Sequence, residues 1–410
     1  MEVGALVIEQ GSTWTRAGYA GEDCPKAIIP TTYGEMPDGR KVFGDLQVNC
    51  PRAGMELKNP MQDGLVFDWN ATKGLLTSIF RDHLRINPAE HPLILTEPSW
   101  NTCKNRETAM QLAFEVFNVP AFFIAKSAVC SAFANGRPSA LIVELGSAVA
   151  SVTPVWEGHA LKKGALHQAL AGDHISNQLR SYFSRQGIPI TPHYLIASKT
   201  QVEPGHPPQC QKKQFEGITP SFHRYQEDRV LHEFKESVCQ VLEGEYSEPA
   251  AASRPGQPFE FPDGFNRNFT VEKNFTVEKY RAPEVLFKPS LSTPDAPASP
   301  DAVGLAQLVF NSVSACDVDI RTHLLSHIIV TGGTSLNMGL MDRIHIELSR
   351  LAPGAKVRAF ASGQSVERKN SAWIGGSILG SLSGFHSMWI SRAEYDEAID
   401  KAALISKRCK

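Results

Sequence analysis

The chain has 410 residues, 42% of them hydrophobic, and a formal net charge of −2. That length is too great for one hydrophobic core and predicts two to four compact units of roughly 150 residues each. The near-neutral charge argues against sequence-independent binding to a nucleic-acid backbone, because that activity requires a concentrated basic surface.

The sequence lacks the patterns that are typical of metal sites, disulfide frameworks and membrane segments. The eight cysteines are scattered without a C-x-x-C pair, so neither zinc nor a disulfide framework is favoured, and a reducing compartment is expected. His91, His327 and His345 have no companion at ligand spacing, so no metal site is predicted. The N-terminus lacks a signal peptide's basic stretch, and no segment is apolar enough to span a bilayer. We therefore expect a soluble intracellular protein without a membrane partner.

The first strand and turn lie in Ala5–Gly21. An apolar run there meets acidic Glu9 and then a small Gly-Ser pair, a pattern typical of a strand followed by a phosphate-binding turn. The pattern recurs in Leu141–Val152, around Glu144. Two such elements predict two similar half-domains that face each other across a cleft and hold an anion between their turns.

Strands and helices alternate along most of the chain, which predicts an α/β fold. Strands are predicted at Lys26–Pro30, Pro92–Thr96, Phe122–Ala125, Ser151–Val155 and His327–Val330. Helices are predicted at Lys73–Leu84, Asn105–Phe117, Ala128–Ala134, Gly172–Phe183, Asp228–Leu242, Leu305–Val313 and Trp373–Ser383.

Four segments interrupt this alternation. Thr31–Pro60 predicts a small lobe, whereas Lys199–Tyr225 and Ser247–Pro258 are so rich in Pro and Gly that surface insertions without regular elements are expected. Asn268–Lys279 contains NFTVEK twice, and a lengthened strand or hairpin is favoured there over a dedicated binding feature.

A third turn, Thr331–Ser335, follows a predicted strand and precedes a predicted helix. Its Gly-Gly pair permits close backbone approach, and the start of the following helix presents free amides, as in a nucleotide-binding turn.

Several motifs together resemble actin and the actin-related proteins over almost the whole chain. They are AGYAGED (Ala17–Asp23), HPLILTEPSWN (His91–Asn101), TGGTSL (Thr331–Leu336) and the long stretch Glu367–Ala398. Within the family, the chain is most similar to the nuclear actin-related protein four group. The shared stretches are HYLIASKTQVEPG (His193–Gly205), GITPSF (Gly217–Phe222) and HEFKESVCQV (His232–Val241).

The resemblance implies an actin-like ATPase fold of the α/β class, with two ribonuclease-H-like halves around a nucleotide cleft and two smaller outer lobes. It also implies four subdomains. Subdomain 1 would comprise 1–30, 61–134 and 371–410, subdomain 2 would comprise 31–60, subdomain 3 would comprise 135–170 and 301–370, and subdomain 4, with the Pro-rich insertions, would comprise 171–300.

The resemblance further implies an ATP site. The implied adenosine contacts are Gly172, Lys235, Glu236, Gly332, Gly333, Leu336 and Lys369, and all but Leu336 agree with actin. The implied phosphate contacts are Gly11, Ser12 and Thr13 in the first turn and Gly146, Ser147 and Ala148 in the second.

The phosphate side departs from actin at several positions. Thr13 replaces a glycine, so its bulk should point at the phosphates and its backbone should resist glycine-only angles. Ser147 replaces one of two carboxylates that organise the metal's water shell, which leaves Mg²⁺ binding open. Ser127 and Ser151 replace the Gln that orients the attacking water and a supporting His. We predict structural ATP without hydrolysis and no catalytic residue, with an empty cleft as the alternative.

The remaining function is expected to lie on the surface. By resemblance, a groove for an amphipathic partner helix would be lined by Phe133, Gly136, Ile374, Leu379, Leu382, Gly384 and Met388, although composition alone favours core positions. The loop Glu35–Lys41 lacks the apolar tip by which actin subunits contact their neighbours, so poor filament growth is expected.

These features predict a non-catalytic nuclear subunit of chromatin-remodelling and histone-acetyltransferase complexes that pairs with actin and docks on a scaffold helix. The partners are implied by the resemblance alone. The alternative is an active actin-like ATPase, with or without filament formation, which would favour Gln, Asp and His at Ser127, Ser147 and Ser151. Contact with histones or nucleosomal DNA is a further option that rests on the insertions.

Overall fold

The computed structural model describes residues 4–200, 202–203, 206–269 and 276–409. Its strands are β1 (Leu6–Gln10), β2 (Trp14–Tyr19), β3 (Ala27–Pro30), β4 (Tyr33–Glu35), β5 (Lys41–Val42), β6 (Glu56–Lys58), β7 (Met61–Gln62), β8 (Leu65–Val66), β9 (Leu93–Glu97), β10 (Ala121–Lys126), β11 (Ala140–Leu145), β12 (Ala150–Trp156), β13 (His159–Ala160), β14 (Leu166–Gln168), β15 (Ile196–Thr200), β16 (Gln209–Lys212), β17 (Gln257–Glu260), β18 (Asn266–Phe269), β19 (Ile328–Thr331), β20 (Ala359–Phe360) and β21 (Ile390–Ser391).

The α-helices are α1 (Asp45–Val48), α2 (Trp69–Ser78), α3 (Cys103–Gln111), α4 (Ser127–Ala134), α5 (Gly172–Arg185), α6 (Pro220–Val238), α7 (Glu248–Ala252), α8 (Thr276–Glu284), α9 (Leu305–Ser314), α10 (Val318–Ser326), α11 (Leu340–Leu351), α12 (Ser365–Lys369), α13 (Ser371–Ser381), α14 (Arg392–Glu397) and α15 (Lys401–Arg408). Ile79–Leu84 and Leu112–Val116 continue α2 and α3 as π-helical segments. Short 3₁₀ segments lie at Pro88–Glu90, Lys162–Gly164, His193–Leu195, Pro289–Leu291, Gly333–Leu336 and Ser383–Met388.

Two mixed sheets form the centres of the two halves. The first has the order β21-β10-β9-β1-β2-β3, and the second has β13-β12-β11-β19-β20 with β14 beside β12. In each half an antiparallel hairpin, β1–β2 or β11–β12, has its first strand paired in parallel with a later strand, β9 or β19. The predicted pair of similar half-domains and the predicted α/β actin-like fold are confirmed.

Each half buries its own hydrophobic core. One core surrounds the first sheet and includes Leu6, Phe114 and Trp373, and the other surrounds the second sheet and includes Val143 and Phe234. A smaller cluster joins α4 to the second sheet through alanines and branched aliphatic side chains. Helix α4 follows a strand of the first sheet, so it connects the two halves.

Two smaller units flank the halves. The first outer lobe is the three-stranded sheet β5-β4-β6 together with α1. The second outer lobe consists of α6 with the hairpins β15–β16 and β17–β18. The subdomain boundaries stay a prediction. Among the described helices, none is both long and apolar enough to cross a bilayer. Seven cysteines are free thiols, namely Cys24, Cys50, Cys103, Cys130, Cys210, Cys316 and Cys409.

The expectation that the Pro-rich insertions lack regular elements was wrong. Helix α6 begins at Pro220, inside the first insertion, because Thr219 caps its N-terminus by accepting a hydrogen bond from the Phe222 amide at 3.3 Å. Ser247 caps α7 in the same way, with a proline in the first turn. Proline is favoured in the first helical turn, where its missing N–H has no partner to lose.

Two other segments differ from the sequence predictions. Helix α10 was not predicted, and residues 270–275 of the NFTVEK duplication lie outside the described residues. Asn268 and Phe269 end β18, while Thr276 begins α8. The prediction of a lengthened strand or hairpin holds at 268–269, where β18 pairs with β17, but it was wrong at 276–279, which is helical. Residues 270–275 lie outside the described chain.

Glycines set the contact between α13 and α4. A Cβ on Gly375 would lie 1.7 Å from the Cys130 carbonyl oxygen, which is backbone and cannot move aside.

Gly375→Ala should therefore lower the free energy of unfolding by about 3 kcal/mol or more, as overpacked cores do. Urea denaturation would measure this, with Gly363→Ala as the matched control, since a Cβ there meets no atom within 4 Å. Equal effects of the two substitutions would contradict the prediction.

Candidate nucleotide cleft

A cavity of about 580 Å³ lies between the two halves. It is lined by the turns that follow β1, β11 and β19, by the C-terminal part of α6 and by the end of α12. Of the residues predicted to bind nucleotide, the lining includes Gly11, Ser12, Thr13, Gly146, Ser147, Ala148, Lys235, Glu236, Gly332, Gly333, Leu336 and Lys369. Gly172 lies behind this wall rather than in it.

The turns after β1 and β11 have the same backbone geometry. The Gly11 amide donates to the Trp14 carbonyl at 3.0 Å, and the Gly146 amide donates to the Val149 carbonyl at 3.0 Å. A Cβ at either glycine would lie 3.0 or 3.1 Å from that carbonyl oxygen. The sequence-based interpretation of a repeated strand and turn therefore holds at the level of individual hydrogen bonds.

Thr13 joins the two turns across the cleft. Its hydroxyl donates to the Ser147 hydroxyl at 2.7 Å, so the bulk of the side chain does point into the space between the turns. The predicted backbone conflict is absent, because Thr13 is not among the described non-glycine residues with positive φ. The added side chain thus changes the space between the turns without straining the backbone.

The two acidic residues at the floor of the cleft already have protein partners. Glu9 forms an ion pair with Arg16 at 3.2 Å, and Arg16 donates through Nε to Asn370 at 2.6 Å. Glu144 accepts hydrogen bonds from Ser127 at 2.9 Å and from Ser131 at 3.0 Å. Burial raises the pKa of both carboxyl groups, that of Glu144 to about 7.

The protein partners of Glu9 and Glu144 leave these two carboxylates less able to bind the Mg²⁺ ion that actin-like sites hold. Mg²⁺ prefers carboxylate and phosphate oxygens with several waters. Glu9 at the floor of the cleft is ion-paired, and burial keeps Glu144 partly protonated. The two other glutamates that line the cavity, Glu97 and Glu236, are ion-paired as well. Across the described ranges, no cluster of three or more His, Cys, Asp or Glu side chains suits a metal ion.

The two positions predicted to have lost hydrolytic function are occupied by short hydroxyls. Ser127 gives its one proton to Glu144, so that proton does not position a water molecule. Ser151 lies on β12 opposite Glu144 in the strand register and is 3% exposed. Both residues are close to Glu144, but neither side chain reaches the cavity as far as a Gln or His would.

The adenosine side is held by buried polar contacts. Lys235 donates through Nζ to the Gly172 carbonyl at 2.8 Å and to the Ser176 hydroxyl at 3.1 Å, and burial lowers its pKa. Nearer solvent, Lys369 forms an ion pair with Glu236 at 3.3 Å. Of the residues predicted to contact adenosine, Lys235, Glu236 and Lys369 therefore have protein partners at the cavity wall, and Gly172 supports Lys235 from behind it. Their contact with adenosine stays a prediction.

The Gly-Gly turn has two glycines with different roles. Gly332 has φ +90°, and a Cβ there would lie 2.3 Å from the Leu145 carbonyl oxygen, so only glycine fits. A Cβ on Gly333 would meet no atom within 4 Å, although Gly333 lines the cavity. Gly333 therefore leaves open space toward the cleft.

Sequence reasoning missed several residues that line or close the cavity. Trp100 stacks on His167, with ring centroids 4.3 Å apart, and donates through Nε1 to the Asp63 carbonyl at 3.1 Å. His232 lines the adenosine side, and burial together with Lys235 lowers its pKa to about 4. Trp100 lies within a motif that was used only to detect the family, and the two histidines had no periodic signal.

The predicted partner groove lies at the surface, contrary to the expectation from composition. Leu382 and Met388 are 46% and 42% exposed. Gly136 and Gly384 are exposed, while the side chains of Phe133, Ile374 and Leu379 are partly exposed. Binding of a helix by these residues stays a prediction. At Glu35–Lys41, β4 and β5 are joined by a tight turn whose exposed tip carries Asp38 and Arg40.

Two similar halves around a central cleft are the arrangement of the actin-like ATPase fold. The family model described as Actin matches residues 1–410, and the chain belongs to the actin family. It is 41% identical to the "SWI/SNF and RSC complexes subunit arp42" of Schizosaccharomyces pombe over the full length of both chains. It is also 41% identical to "Actin-related protein 4" of Emericella nidulans, covering 100% of this chain and 97% of that protein. The "Actin-related protein 4" of Yarrowia lipolytica is 40% identical, covering 97% and 94%. The predicted similarity to actin-related protein four is confirmed.

The raised pKa of Glu144 predicts a pH-dependent stability. Between the usual pKa near 4.5 and about 7, the folded protein holds a proton that the unfolded chain has lost, so stability falls as pH rises through this window. Glu144→Gln should therefore be more stable than the parent at pH 8, by on the order of 2 kcal/mol, and the difference should shrink toward pH 5.

Urea unfolding of nucleotide-free protein at several pH values would measure this difference. Glu243→Gln, at an exposed glutamate, is the matched control and should leave the pH dependence unchanged. A difference between Glu144→Gln and the parent that does not vary with pH would contradict the assignment.

Proposed function

We propose that the protein is a non-catalytic actin-related subunit of nuclear chromatin-remodelling and histone-acetyltransferase complexes, which binds ATP as a structural ligand and does not hydrolyse it. In this role it pairs with actin and docks on a helix of a scaffold subunit. The relative whose name places it in SWI/SNF and RSC complexes supports the choice of complex.

The single observation that carries the proposal is the mismatch between the two sides of the cleft. The adenosine wall keeps its buried lysine contacts and its open Gly333. On the phosphate side, Thr13 bonds to Ser147, and the Ser127 proton is committed to Glu144. Hydrolysis requires a positioned water and stabilisation of the developing charge, so this arrangement favours binding over turnover.

A bound nucleotide would act as a structural ligand: by mass action, its binding to the folded chain would stabilise the folded state against unfolding. Glu9 and Glu144 are the residues that would face a magnesium ion accompanying the phosphates. The residues that would hold the adenosine are Lys235, Glu236, Gly332, Gly333, Leu336 and Lys369, with Gly172 supporting Lys235 from behind.

Nucleotide content provides the first test. Purified protein should release ATP rather than ADP on denaturation, as measured by anion-exchange chromatography. Gly333→Leu should reduce the bound nucleotide more than tenfold, because Gly333 lines the cavity and a Cβ there meets no protein atom within 4 Å, so a larger side chain should occupy space meant for the ligand. Gly363→Leu, equally unhindered but outside the cavity lining, should retain it. Release of mainly ADP, with turnover of added ATP, would favour the active ATPase instead.

Partner binding provides the second test. Leu382→Asp and Met388→Asp place charges in the predicted groove, and each should weaken co-purification with actin and a scaffold helix by roughly 30-fold, as loss of a central apolar contact does. Ile399→Asp, at a fully exposed isoleucine, is the control and should bind normally. Unchanged binding of both groove variants would argue against this docking site.

Filament formation separates the proposal from its alternative. The exposed turn at Glu35–Lys41 carries charge where an apolar tip would be needed. Sedimentation of the purified chain should leave it in the supernatant, whereas self-assembly would favour a filament-forming ATPase. Contact with histones or nucleosomal DNA stays a prediction that rests on the insertions, of which Gln209–Lys212 forms an exposed edge of a short hairpin.

A further inference from the structure

The cavity extends past the predicted adenosine contacts to two glutamines. Beside Lys235 and Leu336, its lining includes the side chains of Gln240 and Gln257, which are called the amide pair below. Gln257 begins β17 and belongs to the insertion Ser247–Pro258. One of the Pro-rich insertions therefore contributes a polar side chain to the cavity, and the predicted nucleotide contacts include neither glutamine.

The Gln257 amide has a fixed orientation. One of its two terminal atoms lies 2.5 Å from the Ser237 carbonyl oxygen. A backbone carbonyl only accepts hydrogen bonds, so the atom that faces it must be the amide nitrogen Nε2. The oxygen Oε1 then points the other way, where it accepts a hydrogen bond from Nε2 of Gln240 at 3.4 Å. Turning the amide over would place its oxygen against the Ser237 oxygen.

Gln240 continues the same chain of hydrogen bonds. Its Nε2 donates to Gln257, and its Oε1 accepts from the Tyr280 hydroxyl at 3.2 Å. Tyr280 is buried, so this hydroxyl lies behind the amide pair rather than in open solvent. The hydrogen bonds run in one direction, from Tyr280 through Gln240 and Gln257 to the Ser237 carbonyl.

The backbone that carries Gln240 is also held in place. The Gln240 amide donates to the Lys279 carbonyl at 3.0 Å, and the Val241 amide donates to the Met338 carbonyl at 2.8 Å. A Cβ on Gly339 would lie 2.1 Å from the Val241 carbonyl oxygen, so the two segments are in close contact. Gln257 itself lies on the paired strands β17 and β18. Both members of the amide pair therefore start from anchored backbone.

The Gln257 amide keeps hydrogen-bonding capacity for a ligand. A glutamine amide has two N–H donors and two acceptor lone pairs. Within the described ranges, Ser237 engages one donor of Gln257 and Gln240 engages one acceptor. One donor and one acceptor remain, side by side in the plane of the amide. This pair matches adenine, whose 6-amino group donates and whose adjacent ring nitrogen accepts, as in the bidentate contact of Gln with adenine.

The fixed orientation matters for which base fits. A freely rotating amide pairs equally well with a 6-oxo purine, because it turns over to present its donor to the O6 acceptor. The Gln257 amide is held by Ser237 and Gln240, so a 6-oxo purine would place O6 against Oε1. Specificity of this kind rests on the unfavourable contact with the wrong ligand as much as on the contact with the right one.

We propose that Gln257 recognises the base of the bound nucleotide and selects a 6-amino purine over a 6-oxo purine, with Gln240 as the positioning residue that fixes its amide. This inference rests on the proposed function, namely that the cleft binds nucleotide. It assigns the insertion Ser247–Pro258 a part in ligand selection.

The test compares ATP with inosine triphosphate, ITP, by isothermal titration calorimetry of nucleotide-free protein. The two nucleotides differ only at positions 1 and 6 of the purine, so the ratio of their dissociation constants isolates the base edge. The parent should bind ATP about tenfold or more tightly than ITP, the effect of one bidentate contact. Gln257→Leu should reduce this preference to about twofold or less.

Two further variants provide the controls. Gln209→Leu removes an exposed glutamine of the hairpin β15–β16, outside the cavity lining, and should keep the parent ratio. Gln240→Leu frees the Gln257 amide to turn over and should lower the ratio to about threefold. A merely structural role of Gln240 would instead weaken both nucleotides equally and leave the ratio unchanged, which would contradict its role as a positioning residue.

The outcomes separate base recognition from the proposed function. Equal affinity of the parent for ATP and ITP would overturn base recognition while structural ATP still stood. A full preference for ATP in Gln257→Leu would overturn the role of Gln257. If that variant does not fold, Gln257→Asn, whose amide is one methylene shorter, should lose the preference as well, and its retention would again overturn the proposal. A parent that binds neither nucleotide would refute the proposed function and this inference together.

Discussion

The relative position of the two halves depends on the packing of α13 against α4. Gly375 brings the two helices so close that any side chain would overlap the Cys130 carbonyl. The opposite side of α4 packs through Ala128 and Ala132 against the second sheet. One short helix therefore carries the contact from the first core to the second, and the distance between the two phosphate-type turns follows from it. The 2.7 Å contact between Thr13 and Ser147 exists only because this spacing is fixed.

Contacts between the halves are distributed from the floor of the cleft to its outer edge. At the floor, Thr13 bonds to Ser147 and Arg16 bonds to Asn370. At the outer edge, residues 49–57 of the first outer lobe are joined to residues 217–229 of the second through backbone groups and through the side-chain oxygen Oδ1 of Asn49. A protein that cycles through hydrolysis needs some of these contacts to break and reform with each turnover. Here several contacts join the halves both at the floor and at the outer edge of the cleft, which fits a protein whose cleft does not open and close in a catalytic cycle.

Much of the fold followed from local sequence patterns, because two buried strands, β1 and β11, carry an acidic residue just before a small-residue turn, and because the helices kept their 3.6-residue period. The errors at the two Pro-rich insertions share a physical cause. Pro220 and Pro249 were taken as breakers of regular structure, although a capped N-terminus places proline favourably. In the cleft, the residue types alone indicated that the phosphate side differs from that of actin. Pairings such as Thr13 with Ser147 or Trp100 with His167 join distant segments, and no local pattern encodes them.

The ion pair at the floor of the cleft affects how well the protein could distinguish ATP from ADP. Arg16 is held by Glu9 and Asn370, so its charge is already balanced within the protein. An added terminal phosphate would therefore meet little uncompensated positive charge on the first turn. If the cleft binds nucleotide as proposed, the free energy that distinguishes a triphosphate from a diphosphate would be small, and the protein would keep the same shape as the cellular ratio of ATP to ADP changes.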